Sequence, residues 1–170
     1  AVNSAISKYG SIVVPGFYGR NPNGKIHLFS RGGSDVTGAY LSYFLNASKY
    51  ENFTDVTGIL MADPKIINNP KKIKTINYEE LRELSYMGAS VLHPEAIFPV
   101  MKNKIMINIK NTFKPEDPGT MIVPNDQYQL SGESIVTGIA GKKDFTVIFI
   151  EKSMMNAEVG FIRKVLSVIE

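Results

Sequence analysis

Two adjacent glycines, Gly32 and Gly33, stand between an apolar run, Ile26-His27-Leu28-Phe29, and a stretch of helical periodicity that begins near Val36. Strand, glycine turn and helix in that order restrict the architecture, because glycine alone takes positive φ without strain and lets backbone approach a ligand closely. The helix that follows points unpaired N–H groups and a partial positive charge back at the turn, which suits an anion. Arg31, Ser34 and Asp35 frame it. A guanidinium matches a carboxylate or phosphate, whereas an aspartate has little use in a purely phosphate-binding loop. Asp35 makes sense if the ligand carries an ammonium beside its carboxylate, as an α-amino acid does. On these residues alone a simpler reading stands beside it: Ser34 or Asp35 caps the helix, and Arg31 is a solvated charge.

Upstream, the first ten residues have the pattern of a helix ended by Gly10. Ser11 to Phe17 is a short β-rich run, and Gly19-Arg20-Asn21-Pro22-Asn23-Gly24 is a cluster of turn formers that returns the chain to Ile26–Phe29. From Val36 to Ser48, the residues Val36, Ala39, Tyr40, Tyr43, Phe44 and Ala47 recur at helical spacing and predict one face packed on a sheet. A brief strand ending at Thr54-Asp55 and a turn at Asp63-Pro64, followed by Lys65, place carboxylates and hydroxyls where they can contact a nucleotide or its Mg²⁺. The same residues can serve as helix caps and Asx turns.

Asn77-Tyr78-Glu79-Glu80 reads as a capping box that opens a helix running to Gly88. A further helix is expected around Pro94–Met101, then an apolar strand at Ile105–Ile109 and a last short strand at Thr120–Val123. Strands alternating with helices predict an α/β domain with a largely parallel sheet flanked by helices. After a polar linker at 126–132, Ile135–Ala140 and Phe145–Ile150 are β-like, and Gly160–Ile169 has the spacing of a one-sided helix, the opening of a second, incomplete βα unit.

The chain has 170 residues and a net charge of +3, with 44% hydrophobic and 21% charged residues, values that suit a soluble globular protein. Without cysteine, disulfides and thiolate metal sites are excluded. That absence also fits a cytoplasmic protein. The two histidines lie far apart in sequence and do not suggest a zinc site. The four lysines between Lys65 and Lys74 have no interleaved aromatics for base stacking, so no nucleic acid is expected. No long apolar run or leader-like start points to a membrane.

Four segments, in order, resemble the aspartokinases, the aspartate kinase branch of the amino-acid kinase superfamily. They are Arg31-Gly32-Gly33-Ser34-Asp35; Phe53-Thr54-Asp55-Val56 with Asp63-Pro64; Met87-Gly88-Ala89-Ser90-Val91-Leu92-His93-Pro94; and Ile109-Lys110-Asn111-Thr112-Phe113 with Pro118-Gly119-Thr120. The resemblance implies that residues 1–125 are the C-terminal part of a kinase domain with a partial amino-acid kinase fold, and that 133–170 begin an ACT regulatory domain. It further implies phosphorylation of the side-chain carboxylate of L-aspartate by MgATP, feedback by an amino-acid effector, and a homo-oligomer formed through the ACT region.

By the same resemblance, Arg31 pairs with the substrate α-carboxylate and Asp35, helped by Ser34, holds the α-ammonium. Thr54, Asp55, Leu60, Asp63, Lys65 and Ser90 contact the nucleotide. Leu60 stands where many members have tyrosine, and Ser90 where many have lysine. The lysine-bearing glycine motif of the family is not in this chain, so no catalytic residue is assigned and the chain alone is expected to be inactive. Two other readings remain open at this level: a non-catalytic amino-acid-sensing or assembly module, and a sister kinase acting on glutamate, a carbamate or a nucleoside monophosphate.

Overall fold

The computed structural model describes residues 2–88, 91–129, 135–141, 144, 146, 148–155 and 159–169. Helix α1 (Val2–Tyr9) ends at Gly10, whose φ of +77° closes it. Strands β1 (Tyr18–Arg20) and β2 (Ile26–Leu28) form a two-stranded antiparallel ribbon around the turn at 21–24. The strand expected at Ser11–Phe17 is not formed. Pro15 has no N–H to give a ladder, and Phe17 turns the chain with φ +73° while its N–H goes to the Thr37 hydroxyl at 3.2 Å. The ribbon is separate from the main sheet.

Two helix–strand units form the centre. Helix α2 (Gly33–Leu45) leads through a left-handed Asn46 into β3 (Lys49–Thr54). Strand β4 (Thr75–Asn77) and helix α3 (Tyr78–Tyr86) follow, with the Asn77 side chain accepting from the Glu80 N–H at 2.8 Å as an N-cap should. The Glu80 carboxylate accepts from the Thr137 hydroxyl at 2.7 Å. Helix α4 (Pro94–Lys102), with proline in its first turn, then leads through a left-handed Lys104 into β5 (Met106–Asn111), and β6 (Thr120–Val123) ends the sheet. Asn103 ties the two helix-to-strand turns together by donating to Tyr43 O at 3.2 Å and Asn46 Oδ1 at 2.9 Å.

The sheet order is β3-β5-β6-β4. β3 pairs parallel with β5, and β4 with β6, while β5 and β6 are antiparallel. The sheet is therefore mixed and mostly parallel, in an α/β domain. Ala39 and Ala96 are fully buried on α2 and α4, and Leu81, Leu92, Val100, Ile107, Ile109 and Ile122 fill the core around them. Alternation along β3 turns Tyr50 and Asn52 toward α2, while Lys49, Glu51 and Phe53 face outward.

Residues 59–61 and 71–73 form a short antiparallel ribbon through Ile73 N–H to Ile59 O at 2.8 Å and Met61 N–H to Lys71 O at 2.8 Å. Thr120 fixes it to β6: its hydroxyl accepts from Ile59 N–H at 2.9 Å and donates to Ile73 O at 2.6 Å. Lys72 pairs with Asp117 next to it. Among the described residues of 135–140 no strand forms, contrary to the β-like pattern there, and the run expected at Phe145–Ile150 lies partly outside the described residues. The Thr137 hydroxyl instead donates to Glu80 and the Ile139 N–H to Met61 O, so that N–H is not paired in a ladder between the expected strands. Helix α5 (Phe161–Ile169) is present where expected, with no residue buried. Among the described residues no helix is long and apolar enough to cross a membrane.

Two outcomes follow for stability. Thr120→Val keeps the shape but strands a buried N–H and a buried C=O, so urea unfolding should show a loss of about 2–4 kcal/mol. The Lys72 ammonium, and then the Gly119 N–H, hold the Asp117 carboxyl below its ordinary value of 3.8. A carboxyl depressed by folding adds stability that is complete above its unfolded value, about 3.9, and fades as pH falls through the lower folded value. The urea midpoints of wild type and Asp117→Asn should therefore differ at neutral pH and converge below about pH 3. An equal gap at both pH values would show that the pair contributes nothing.

Candidate functional site

Where α2 and α4 begin, their N-termini abut. Gly32, the N-cap of α2, has φ +84°, and a Cβ there would lie 2.5 Å from the His93 ring. His93 is the N-cap of α4 and accepts the Glu95 N–H on Nδ1 at 3.3 Å. Gly33 is equally confined, since a Cβ would meet that of Phe29 at 2.4 Å. Both glycines are thus required by contact, and at Gly32 by conformation as well. Because each helix is followed by a parallel strand, the carboxyl ends of β3 and β5 reach the same edge, where open α/β sheets carry their ligands. The strand leading into the glycine turn, β2, belongs to the outlying ribbon; it is β3 and β5 that carry this edge.

Asp35, in the first turn of α2, turns its carboxylate inward. Oδ1 accepts from Asn52 Nδ2 at 3.0 Å, and Oδ2 faces the His93 N–H at 3.4 Å. A carboxylate suits a helix N-terminus, and here it lies between two of them. Arg31 and Ser34 are exposed, and among the described residues the Arg31 side chain has no hydrogen bond or ion pair. A free guanidinium and an anchored carboxylate thus sit within one turn of chain.

Thr54 closes β3 on the same face as Asn52, one pleat nearer the strand end. Its hydroxyl donates to Asp55 Oδ1 at 3.2 Å, and Asn111, beside it on β5, donates to Asp55 O at 3.3 Å. Leu60 lies in the short ribbon, bridged to Lys72. Asp63 turns the chain beyond it by accepting the Lys65 N–H on Oδ1 at 2.8 Å, so this part of the Asx-turn reading holds. The Lys65 side chain is exposed. Ser90 lies outside the described residues. The structure thus joins Asp35 to β3 through Asn52, with Arg31 and Ser34 exposed beside it and Thr54 and Asp55 at the end of that strand; Leu60 lies apart, in the ribbon fixed to β6, and Asp63 and Lys65 lie in the turn beyond it.

Asn52, Tyr50 and His93 had drawn no role from their sequence positions. Asn52 is 8% exposed in the middle of a strand, an unfavourable place for asparagine, and that was the available signal. Burial, the largest influence, raises the Tyr50 hydroxyl above its ordinary value of 10.

Residues 1–111 match the family model described as the amino acid kinase family. The chain is 44% identical to aspartokinase 3 of Bacillus subtilis (strain 168) over 161 residues, covering 95% of this chain and 35% of that protein. A crystal structure of Clostridium acetobutylicum aspartate kinase is 57% identical, with TM-score 0.83, over 99% of this chain and 39% of the other. That of Escherichia coli aspartokinase III with aspartate and ADP is 35% identical, with TM-score 0.60, over 64% and 24%. This chain spans about a third of the length of the relatives it matches.

Proposed function

Because this chain belongs to the amino acid kinase family, we propose that it supplies the amino-acid site and part of the nucleotide site of an aspartate kinase. The reaction joins a side-chain carboxylate oxygen of L-aspartate to the γ-phosphorus of ATP, breaks the γ-phosphorus bond to the bridging oxygen, and yields 4-phospho-L-aspartate and ADP. An ionised carboxylate is already the nucleophile, so no proton has to be removed. Positioning and charge neutralisation carry such a transfer.

The observation that carries this reading is the pairing of a free Arg31 with an anchored Asp35 at the start of α2. Opposite charges within one turn match the carboxylate and ammonium of an α-amino acid, Arg31 taking the former and Asp35, with Ser34, the latter. A nucleoside monophosphate has no ammonium for Asp35. The E. coli relative crystallised with aspartate and ADP supports the same pair of ligands. Thr54, Asp55, Leu60, Asp63 and Lys65 are the nucleotide contacts we propose, with Ser90 in the same set. Among the described residues no group of three or more acidic or histidine side chains could hold a metal. Magnesium suits this edge as a partner of the phosphates, which usually supply several of its ligands.

We assign 1–125 to the kinase domain and 133–170 to the start of an ACT domain that binds an amino-acid effector and pairs with a second subunit. The phosphate-facing lysine of the family lies outside this chain, so the chain alone is inactive. The complete polypeptide containing it, given MgATP and hydroxylamine to trap acyl phosphate, should form hydroxamate with L-aspartate and not with L-glutamate. No product with either acid would turn the assignment to a non-catalytic amino-acid-binding module. In that polypeptide Arg31→Ala should lower kcat/KM for aspartate by about 2–4 kcal/mol, the range for removing one partner of a charged contact. Steady-state kinetics with aspartate varied will read it.

A further inference from the structure

Building on that function, the structure assigns to Asn52 and Tyr50 the role of positioning residues that anchor Asp35 for the substrate ammonium. The amide of Asn52 uses Nδ2 twice. It donates to Asp35 Oδ1 at 3.0 Å and to the Tyr50 hydroxyl oxygen at 3.0 Å. Tyr50 then donates its own hydrogen to the main-chain carbonyl of Asp35 at 3.3 Å. Asp35 is thereby held by side chain and backbone at once, in a closed ring of three hydrogen bonds.

Three local departures from ordinary residue choice converge on this ring. An asparagine is the buried residue in the middle of an edge strand, where its amide is tolerable because it is bonded. A glycine, Gly38, interrupts α2, where alanine would favour the helix; a Cβ there would lie 2.7 Å from the Tyr50 hydroxyl oxygen and displace it. A tyrosine hydroxyl is withdrawn from water beneath the helix, and burial keeps it protonated. Departures of this kind gather at functional sites.

The ring also leaves the carboxylate usable. Each oxygen has two acceptor positions, and Asn52 and the His93 N–H account for one on each. The remaining positions are available to an ammonium, with the carboxylate prevented from swinging toward the exposed Arg31. An unanchored Asp35 could pair with Arg31 instead and silence both recognition charges.

The test uses the complete polypeptide. Asn52→Leu removes both donors at similar size, and Tyr50→Phe removes a single oxygen, so it remains informative if the first variant does not fold. Each should raise the KM for L-aspartate about tenfold or more while leaving that for ATP within about twofold. Unchanged aspartate KM in a folded variant, or equal rises in both constants, would overturn the assignment. Crystal structures of the same variants give a readout that needs no reaction. The Asp35 carboxylate should leave its wild-type position, and an unmoved Asp35 would sink the proposal even if KM changed. A wild type without aspartate-dependent product would refute the kinase function, and the crystallographic outcome would still decide whether Asn52 and Tyr50 anchor Asp35.

Discussion

Gly32 and His93 meet with no room between them for a methyl group, and the rest of the site depends on that contact. It brings the starts of α2 and α4 together at one edge. Along their lengths both helices give a fully buried alanine, Ala39 and Ala96, to the shared core. At the far edge Asn103 ties the two left-handed turns to each other. Two helix–strand units locked at both ends must deliver β3 and β5 in parallel, and they do. The candidate site is the product of that registration: helix N-termini and strand carboxyl ends share one edge of the sheet.

Juxtaposed helix N-termini bring two partial positive charges together. Asp35 answers this from between them, facing the His93 N–H while Asn52 holds its other oxygen. The same placement leaves Arg31 exposed and without a protein partner among the described residues. Recognition of a zwitterion needs both results, an acidic group that is fixed and a basic group that is left free. The helix ends, the glycine contact and the buried amide beneath them act on this single arrangement.

Local signals in the sequence were readable wherever the physics was local. Asn77 caps α3 because a side-chain oxygen three residues before an N–H finds it in any context. Gly10 and the spacing of α2 and α5 are of the same kind. Pairing was harder. The pattern at Ser11–Phe17 has β-type residues, but a proline and the left-handed Phe17 break the run, and the strand forms at Tyr18–Arg20 instead. Strand β4 is three residues long and exists because β6 lies beside it. The β-like residues near Ile135–Ala140 met α3 and Met61, so no ladder formed there among the described residues. Of the site, Arg31, Ser34, Asp35, Thr54 and Asp55 were legible as charges and hydroxyls beside turns. Asn52 and Tyr50 were not: an asparagine inside a strand is unusual, but neither it nor a tyrosine there carries a mark of the helix it faces.

What the sequence determined by itself is the set of elements and the chemistry they present: a glycine turn flanked by opposite charges, a helix after it, and alternating strands and helices. These follow from backbone freedom at glycine, side-chain periodicity and capping, all of which act over a few residues. The tertiary structure alone decided which strands lie side by side, that β6 runs against β5, and that Asn52, Tyr50 and His93 close around Asp35. The contacts to Asp35 join residues 15, 17 and 58 positions apart. Their energies appear only once the helices have packed, because hydrogen bonds to a part-buried carboxylate strengthen as packing withdraws water from it.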